Sequence, residues 1–263
     1  MSLTGKTLAN TYKDLLQMNN SNSGIDTGTK VIVDGEGTES ALHISDDIVK
    51  VFPKTDDTTT AFTVLKTTGA TLFHVDTLNS AVKGGSGLNY MNTHQQNFSV
   101  FRAVATADTH YSMSMGGATG QRTGADLGTG TDPSTTYDLS ADTTYPETVS
   151  GTYWYLPSAV VIDSVTVLAT GYGTDTGTDL HFHLMSYQMS IGGGTEGDLS
   201  DGTVLFNSPA DIEDVVETKI ILQTLSSVNT NVSAGRVIVA TFEESVSAGA
   251  NATANMTVKY HLL

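Results

Sequence analysis

The chain of 263 residues contains no cysteine, which excludes disulfide staples and thiol chemistry and leaves packing and assembly as the sources of stability. The same absence gives no vote on compartment, since an unstapled chain works inside or outside a cell. Positive charge is scarce: 12 Lys and Arg stand against 28 Asp and Glu, a formal net charge of −16. A phosphate backbone would be repelled over most of such a surface, so a nucleic-acid partner is disfavoured, while solubility is favoured and there is room for cations. No apolar run of signal-peptide length follows Met1, and none approaches the roughly 18 to 20 residues needed to span a bilayer. The expectation is a chain neither secreted by the usual route nor inserted in a membrane; outside a cell, a particle released by lysis is the simpler vehicle.

Catalytic signatures are lacking too. The segment KGGSGL lies in a glycine- and serine-rich stretch with no helix after it, so it makes no nucleophile elbow. Gly192, Gly193 and Gly194 neither open a helix nor carry a lysine, which excludes a phosphate loop. Glu243 and Glu244 are adjacent and point to opposite faces of a strand, unsuited to shared acid–base work. A non-catalytic protein with no cofactor is expected.

What is present is concentrated first in residues 41–82, ALHISDDIVKVFPKTDDTTTAFTVLKTTGATLFHVDTLNSAV. Short alternating strands place Leu42 and Ile44, Val49 and Val51, Phe62 and Val64, and Phe73 and Val75 between Asp, Thr and Gly turns. Strands this short, with so few large apolar groups, close no core alone and become stable by association with identical copies. A thin, intertwined, trimeric β-stalk over residues 22–88 is the expectation, and Phe73→Asp is expected to destroy its assembly while Tyr137→Ala spares it. Before it, residues 6–18 carry the only helical spacing, with Leu8, Tyr12, Leu15 and Leu16 on one face. A helix this short persists only when docked. Residues 1–21 therefore read as a helical or extended arm, either anchored in another protein or folded back on the stalk. In DGEGTES, Asp34, Glu36 and Glu39 could hold a hard cation, but the spacing lacks the order of a calcium loop and reads better as a turn.

Residues 89–97 read as a linker and residues 98–263 as a head. Many short strands with Gly and Asn turns, and no helix-period segment between them, predict an all-β sandwich of jelly-roll type. The run Val237, Ile238, Val239 and Ala240 reads as a central strand. Residues 116–150 form a long polar insertion that could drape over the head or a neighbouring subunit, with Tyr137, Leu139 and Tyr145 as its anchors. Tyr137, Tyr145 and Trp154 are candidates for contact with a receptor or glycan, because aromatic rings offer broad contact and stack on sugars. For Trp154 a place in the core is the competing reading, and for the insertion an ordered connection without ligand. In GTDTGTDLHFHLMSY, His181 and His183 project from one strand face, the spacing two imidazoles need to share a metal, with Asp175 or Asp179 nearby. The alternative has Leu180, Phe182 and Leu184 inward and both histidines in water.

The wording of the first third carries a resemblance. NTYKDLLQMNNSNSGIDTGTKVIVDGEGTESALHISDDIVKV and TTTAFTVLKTTGATLFHVDTLNSAV are similar to the N-terminal halves of virion fibre and appendage proteins of tailed bacteriophages, particularly marine ones, through residues 11–17, 34–42 and 61–76. GTYWYLPSAVVIDSVTVL and VSAGRVIVATF resemble, less closely, the β-sandwich heads of the same proteins. The resemblance implies a virion structural protein assembled in the host cytoplasm. It would be a homotrimer held to other virion proteins by its arm and touching a host-surface glycan or protein with its head. It also implies that a His-x-His strand facing a three-fold axis can gather metal between copies. A capsid or tail decoration protein that stabilises the particle, and a glycan-depolymerising tailspike, are the alternatives.

Overall fold

The computed structural model describes residues 16–19, 23–85, 89–104, 106–116, 124–140, 149–172, 180–208, 220–244 and 251–263. The chain divides into two compact units, Met1–Met91 and Asn92–Leu263. The first holds two antiparallel meanders. Strands β1 (Gln17–Met18), β2 (Lys30–Val33), β3 (Glu39–Ile44) and β4 (Val49–Val51) form one four-stranded sheet in chain order. Strands β5 (Phe62–Leu65), β6 (Thr71–Asp76), β7 (Ala81–Gly84) and β8 (Asn89–Tyr90) form the other. Two sequence expectations are corrected at the borders. Gln17 and Met18, expected at the end of a helix, instead pair with Val33 and Ile32, because these partners satisfy the backbone groups a lone helical end would leave open. The expected linker 89–97 is β8 followed by the start of β9 (Thr93–Val104), where His261 to Thr257 supply partners for Thr93 to Asn97.

The second unit is an antiparallel β-sandwich. After β9 come β10 (Tyr111–Ser112), β11 (Ser114–Met115), β12 (Trp154–Tyr155), β13 (Val160–Tyr172), β14 (Leu180–Met189), β15 (Leu199–Asn207), β16 (Ile221–Val232), β17 (Arg236–Glu244) and β18 (Asn251–Leu262). One sheet has the order β11-β9-β18-β13-β16; the other has β10-β17-β14-β15, with β12 also on β17. Alternation sends Phe98 and Val100, Met256 and Val258, Leu180, Phe182 and Leu184, and Ile238, Ala240 and Phe242 into one core between the sheets. Along β13 the parity changes. Val160 and Ile162 face in, the register shifts between Ile162 and Ser164, and Val165, Val167 and Ala169 then face in. Asp163, at the shift, receives His261 Nδ1 at 2.8 Å.

The chain changes sheets at Met113. Tyr111 and Ser112 pair with β17, Ser114 and Met115 pair with β9, and the fully buried Met113 side chain joins the core between them. β17 lies between β14 and the short β10 and β12, as its continuous apolar run predicts. Its second face is buried as well: Val237 and Val239, with Met185 and Tyr187, are covered by Ala125, Leu127, Tyr137 and Val149. The polar insertion thus lays a second small core on the outside of this sheet.

Candidate functional site

The described residues of the first unit make almost no core of their own. Up to Met91, Val33 and Ala81 are the only buried hydrophobic side chains among the described residues. One face of each meander carries a row of apolar residues. In the first, Leu42 lies opposite Val51 and Ile44 opposite Val49. In the second, Phe62 lies opposite Val75, Val64 opposite Phe73, and Val75 opposite Val82. The period of two puts each set on a common side. These are the residues expected to line a stalk, and they stand open: Val49 is 71% exposed, Phe62 43% and Leu42 41%, whereas Ile44, Phe73 and Val75 are half-buried. Phe62 and Phe73 meet edge to face, with centroids 6.2 Å apart.

The opposite face of the second meander is polar: Thr63 Oγ1 and His74 Nε2 are buried there without a hydrogen bond, whereas Asp76 is well satisfied. Asp76 is buried and accepts from the Asn79 backbone N–H at 3.0 Å, Asn79 Nδ2 at 2.9 Å and Lys83 Nζ at 3.2 Å. The Asn79 side-chain bond leads in holding its carboxyl below the usual range. The acidic segment at Asp34 is a hairpin rather than a cation loop. Asp34 Oδ1 accepts from the N–H groups of Thr38 at 2.8 Å and Glu36 at 2.9 Å, and the Thr38 bond leads in lowering its pKa. Glu39 is engaged by Lys54 at 2.8 Å. Of the expected anchor, Leu16 is exposed; Leu8, Tyr12 and Leu15 lie outside the described residues, as do Tyr145, Asp175 and Asp179.

In the second unit the strand alternation of β14 brings His181 and His183 to one face, ring centroids 4.7 Å apart. Here Leu180, Phe182 and Leu184 face the core as expected, but His183 does not meet water: it is fully buried under the insertion. His110, a residue the sequence gave no reason to single out, crosses it edge to face at 5.0 Å. The three rings make a row. Both His183 ring nitrogens are buried without a hydrogen bond, and the nearest carboxylate, Asp132 Oδ1, stands 3.4 Å from Nε2. Burial, reinforced by His181 and His110, pulls its pKa down to about 3. His110 Nε2 lies 2.7 Å from the Gly130 carbonyl and 3.5 Å from Glu243, while His181 Nε2 contacts Asn207 Oδ1. Among the described residues no group of three or more His, Cys, Asp or Glu side chains is placed to hold a metal ion. His183 is thus the buried centre of the row, without a hydrogen bond of its own, between the half-buried His181 and the buried His110.

Of the aromatic candidates, Tyr137 and Trp154 are structural here. Tyr137 is only 7% exposed, and its backbone exchanges hydrogen bonds with Leu199 at 2.9 and 2.8 Å, so its ring serves the outer core instead of meeting a receptor. Half-buried Trp154 packs against Tyr260 at 4.8 Å and Phe98 at 6.3 Å, which corrects the sugar-stacking reading in favour of a core role. A polar hollow of about 260 Å³, which no sequence motif signals, is lined by Ser186, Asp201, Thr203, Asn231, Ser233 and Arg236. Its guanidinium is committed: Arg236 binds Asp201 Oδ2 at 2.7 Å and Ser186 Oγ at 3.0 Å, with further bonds to both carbonyls. Among the described residues no helix is long and apolar enough to cross a membrane. No protein-family model matches the chain, and no curated protein sequence matches it.

Proposed function

We propose that this chain is a structural appendage of a tailed-bacteriophage particle, a homotrimer whose N-terminal unit forms a β-stalk and whose C-terminal sandwich projects as a head. The observation that carries the reading is the pair of uncovered apolar faces on a unit whose described residues include only two buried hydrophobic side chains. Ordering a residue's backbone costs roughly 1–2 kcal/mol, so a unit this poor in burial needs surface from other chains. Three copies closing on Leu42, Ile44, Val49 and Val51, and on Phe62, Val64, Phe73 and Val75, would supply it. The head reading is supported by strand order: β9-β18-β13-β16 and β10-β17-β14-β15 is the order in which two interleaved four-stranded sheets of a jelly roll are wound. Docking through the arm and contact with a host-surface glycan or protein rest on the resemblance. Three tethered heads would convert a weak contact into avid attachment. The role is mechanical and adhesive, without catalysis.

Light scattering tests the assembly. The expected mass is three times the 27.6 kDa of one chain, and Phe73→Asp is expected to yield single chains whose head still melts cooperatively. A wild-type chain that runs as a monomer overturns the reading.

A further inference from the structure

We propose that the N-terminal unit is a tandem duplication of one three-stranded module, residues 30–51 and residues 62–84, and that in the assembled protein each module packs on the same module of neighbouring copies. The packing rests on the trimeric reading above; the duplication stands on internal geometry. In the first module His43 is opposite Val31 on one side and Lys50 on the other; in the second, His74 is opposite Thr63 and Lys83. The next pair on the outer side is Ile44 with Val49, and Val75 with Val82.

The turns repeat as well. At the first hairpin Asp34 N–H donates to Thr38 O at 3.1 Å and Gly37 N–H to Asp34 O at 3.1 Å; the counterparts are Lys66 to Ala70 at 2.8 Å and Gly69 to Lys66 at 2.9 Å. Gly37 and Gly69 have φ of 84° and 82°, the left-handed conformation this turn needs and glycine adopts without strain. At the second hairpin Ser45 Oγ accepts from Ile48 N–H at 3.1 Å, and Asp76 Oδ1 from Asn79 N–H at 3.0 Å. Beyond the third strand Phe52 N–H reaches Ala41 O at 2.8 Å, and Gly85 N–H reaches Leu72 O at 3.1 Å. A meander as such dictates neither these loop types nor a histidine facing a lysine at the same register. The sequence agrees at those points, GTESALHI…VKV against GATLFHV…VKG.

The duplication gives the apolar faces a meaning that a single face would lack. Leu42 and Phe73, Ile44 and Val75, and Val49 and Val82 are equivalent positions, so one apolar surface recurs along the chain. A surface repeated at fixed spacing is matched by a partner with the same spacing, and a parallel copy of this chain supplies it with no further sequence.

The natural absence of cysteine makes the test direct. Full-length chains carrying Val49→Cys or Val82→Cys, each with a different tag, are produced together and treated with a short bis-maleimide. Both positions are exposed in the single chain, so each variant is expected to keep its fold, checked by its melting curve. The expected result is linkage of Val49→Cys chains to one another and of Val82→Cys chains to one another, with at least tenfold less linkage between the two kinds. Equal or predominant linkage between the kinds, or none in a sample that scatters as a trimer, overturns the module-on-module packing. A wild-type chain that scatters as a monomer overturns the trimeric reading itself. Duplicating residues 62–84 with their flanking turns supplies a second measurement: a trimer with a raised melting temperature is expected, and loss of assembly would overturn the modular reading.

Discussion

The side chain of His183 has no solvent around it, no hydrogen bond and two other imidazoles for neighbours, so protonating it inside the fold is costly. Its pKa lies near 3 in the fold and near the ordinary 6.5 in the unfolded chain. The unfolded state therefore binds more protons between these values. The stability this neutral group permits is complete above pH 6.5 and falls as pH drops towards 3, by at most about 1.4 kcal/mol per pH unit. Melting curves of wild type and His183→Leu should diverge in that window, with the variant the flatter; parallel curves would show that His183 is not the titrating group, whatever His110, His181, Asp132 and Glu243 around it contribute. Tyr187 behaves oppositely: burial raises its pKa, keeping the hydroxyl a donor to Ser134 O at 2.8 Å. Beside it, a Cβ on Gly202 would lie 2.6 Å from the Tyr187 ring and 2.7 Å from Thr135 Cα. Gly202→Ala is expected to cost about 1–3 kcal/mol in denaturant unfolding. Tyr137→Ala, harmless had the ring been exposed, is expected to cost the head about 3 kcal/mol while leaving assembly intact.

At the scale of elements, what was legible depended on whether a strand's neighbours were local. Alternation separated Leu180, Phe182 and Leu184 of β14 from its two histidines, since a period of two fixes the face once one side is apolar, whereas the continuous run of β17 marked a central strand without saying which parity meets which core. β13 shows the limit. A shift at Asp163 moves the inward set from Val160 and Ile162 to Val165 and Val167, and a run of apolar residues on both parities does not reveal where that occurs. The segment from Tyr111 to Met115 reads as one alternating strand but is divided between two sheets, a choice made by β17 and β9 far along the chain. Tyr137 is another case: its bridge partner is Leu199, and an aromatic residue among polar ones looks the same in sequence whether it caps a core or greets a ligand. The duplicated module was legible in principle, from the matching Gly, His and Lys, but divergence at most other positions hides it until the registers are compared.

For the whole molecule, the contrast between the units sets the expectation. The sandwich has two cores of its own, whereas the N-terminal unit keeps its apolar residues on open faces. A fragment beginning at Asn92 should fold and run as a monomer. One beginning at Asn97 should melt at a lower temperature, because it removes the residues that pair with His261 to Val258. Equal melting temperatures would show that this end of β9 contributes nothing.

The sequence by itself determined the chemistry available: no thiols, an excess of acid, short alternating strands, and apolar positions at period two in both units. These follow from composition and local spacing, which need no knowledge of distant partners. The tertiary structure alone decided which strands cross between sheets, that the polar insertion covers the outer face of β17, that His110 joins His181 and His183, and that the apolar faces of both meanders stay open. Each of these depends on pairing between residues remote in the chain, and such pairing is fixed by the packing of the whole unit.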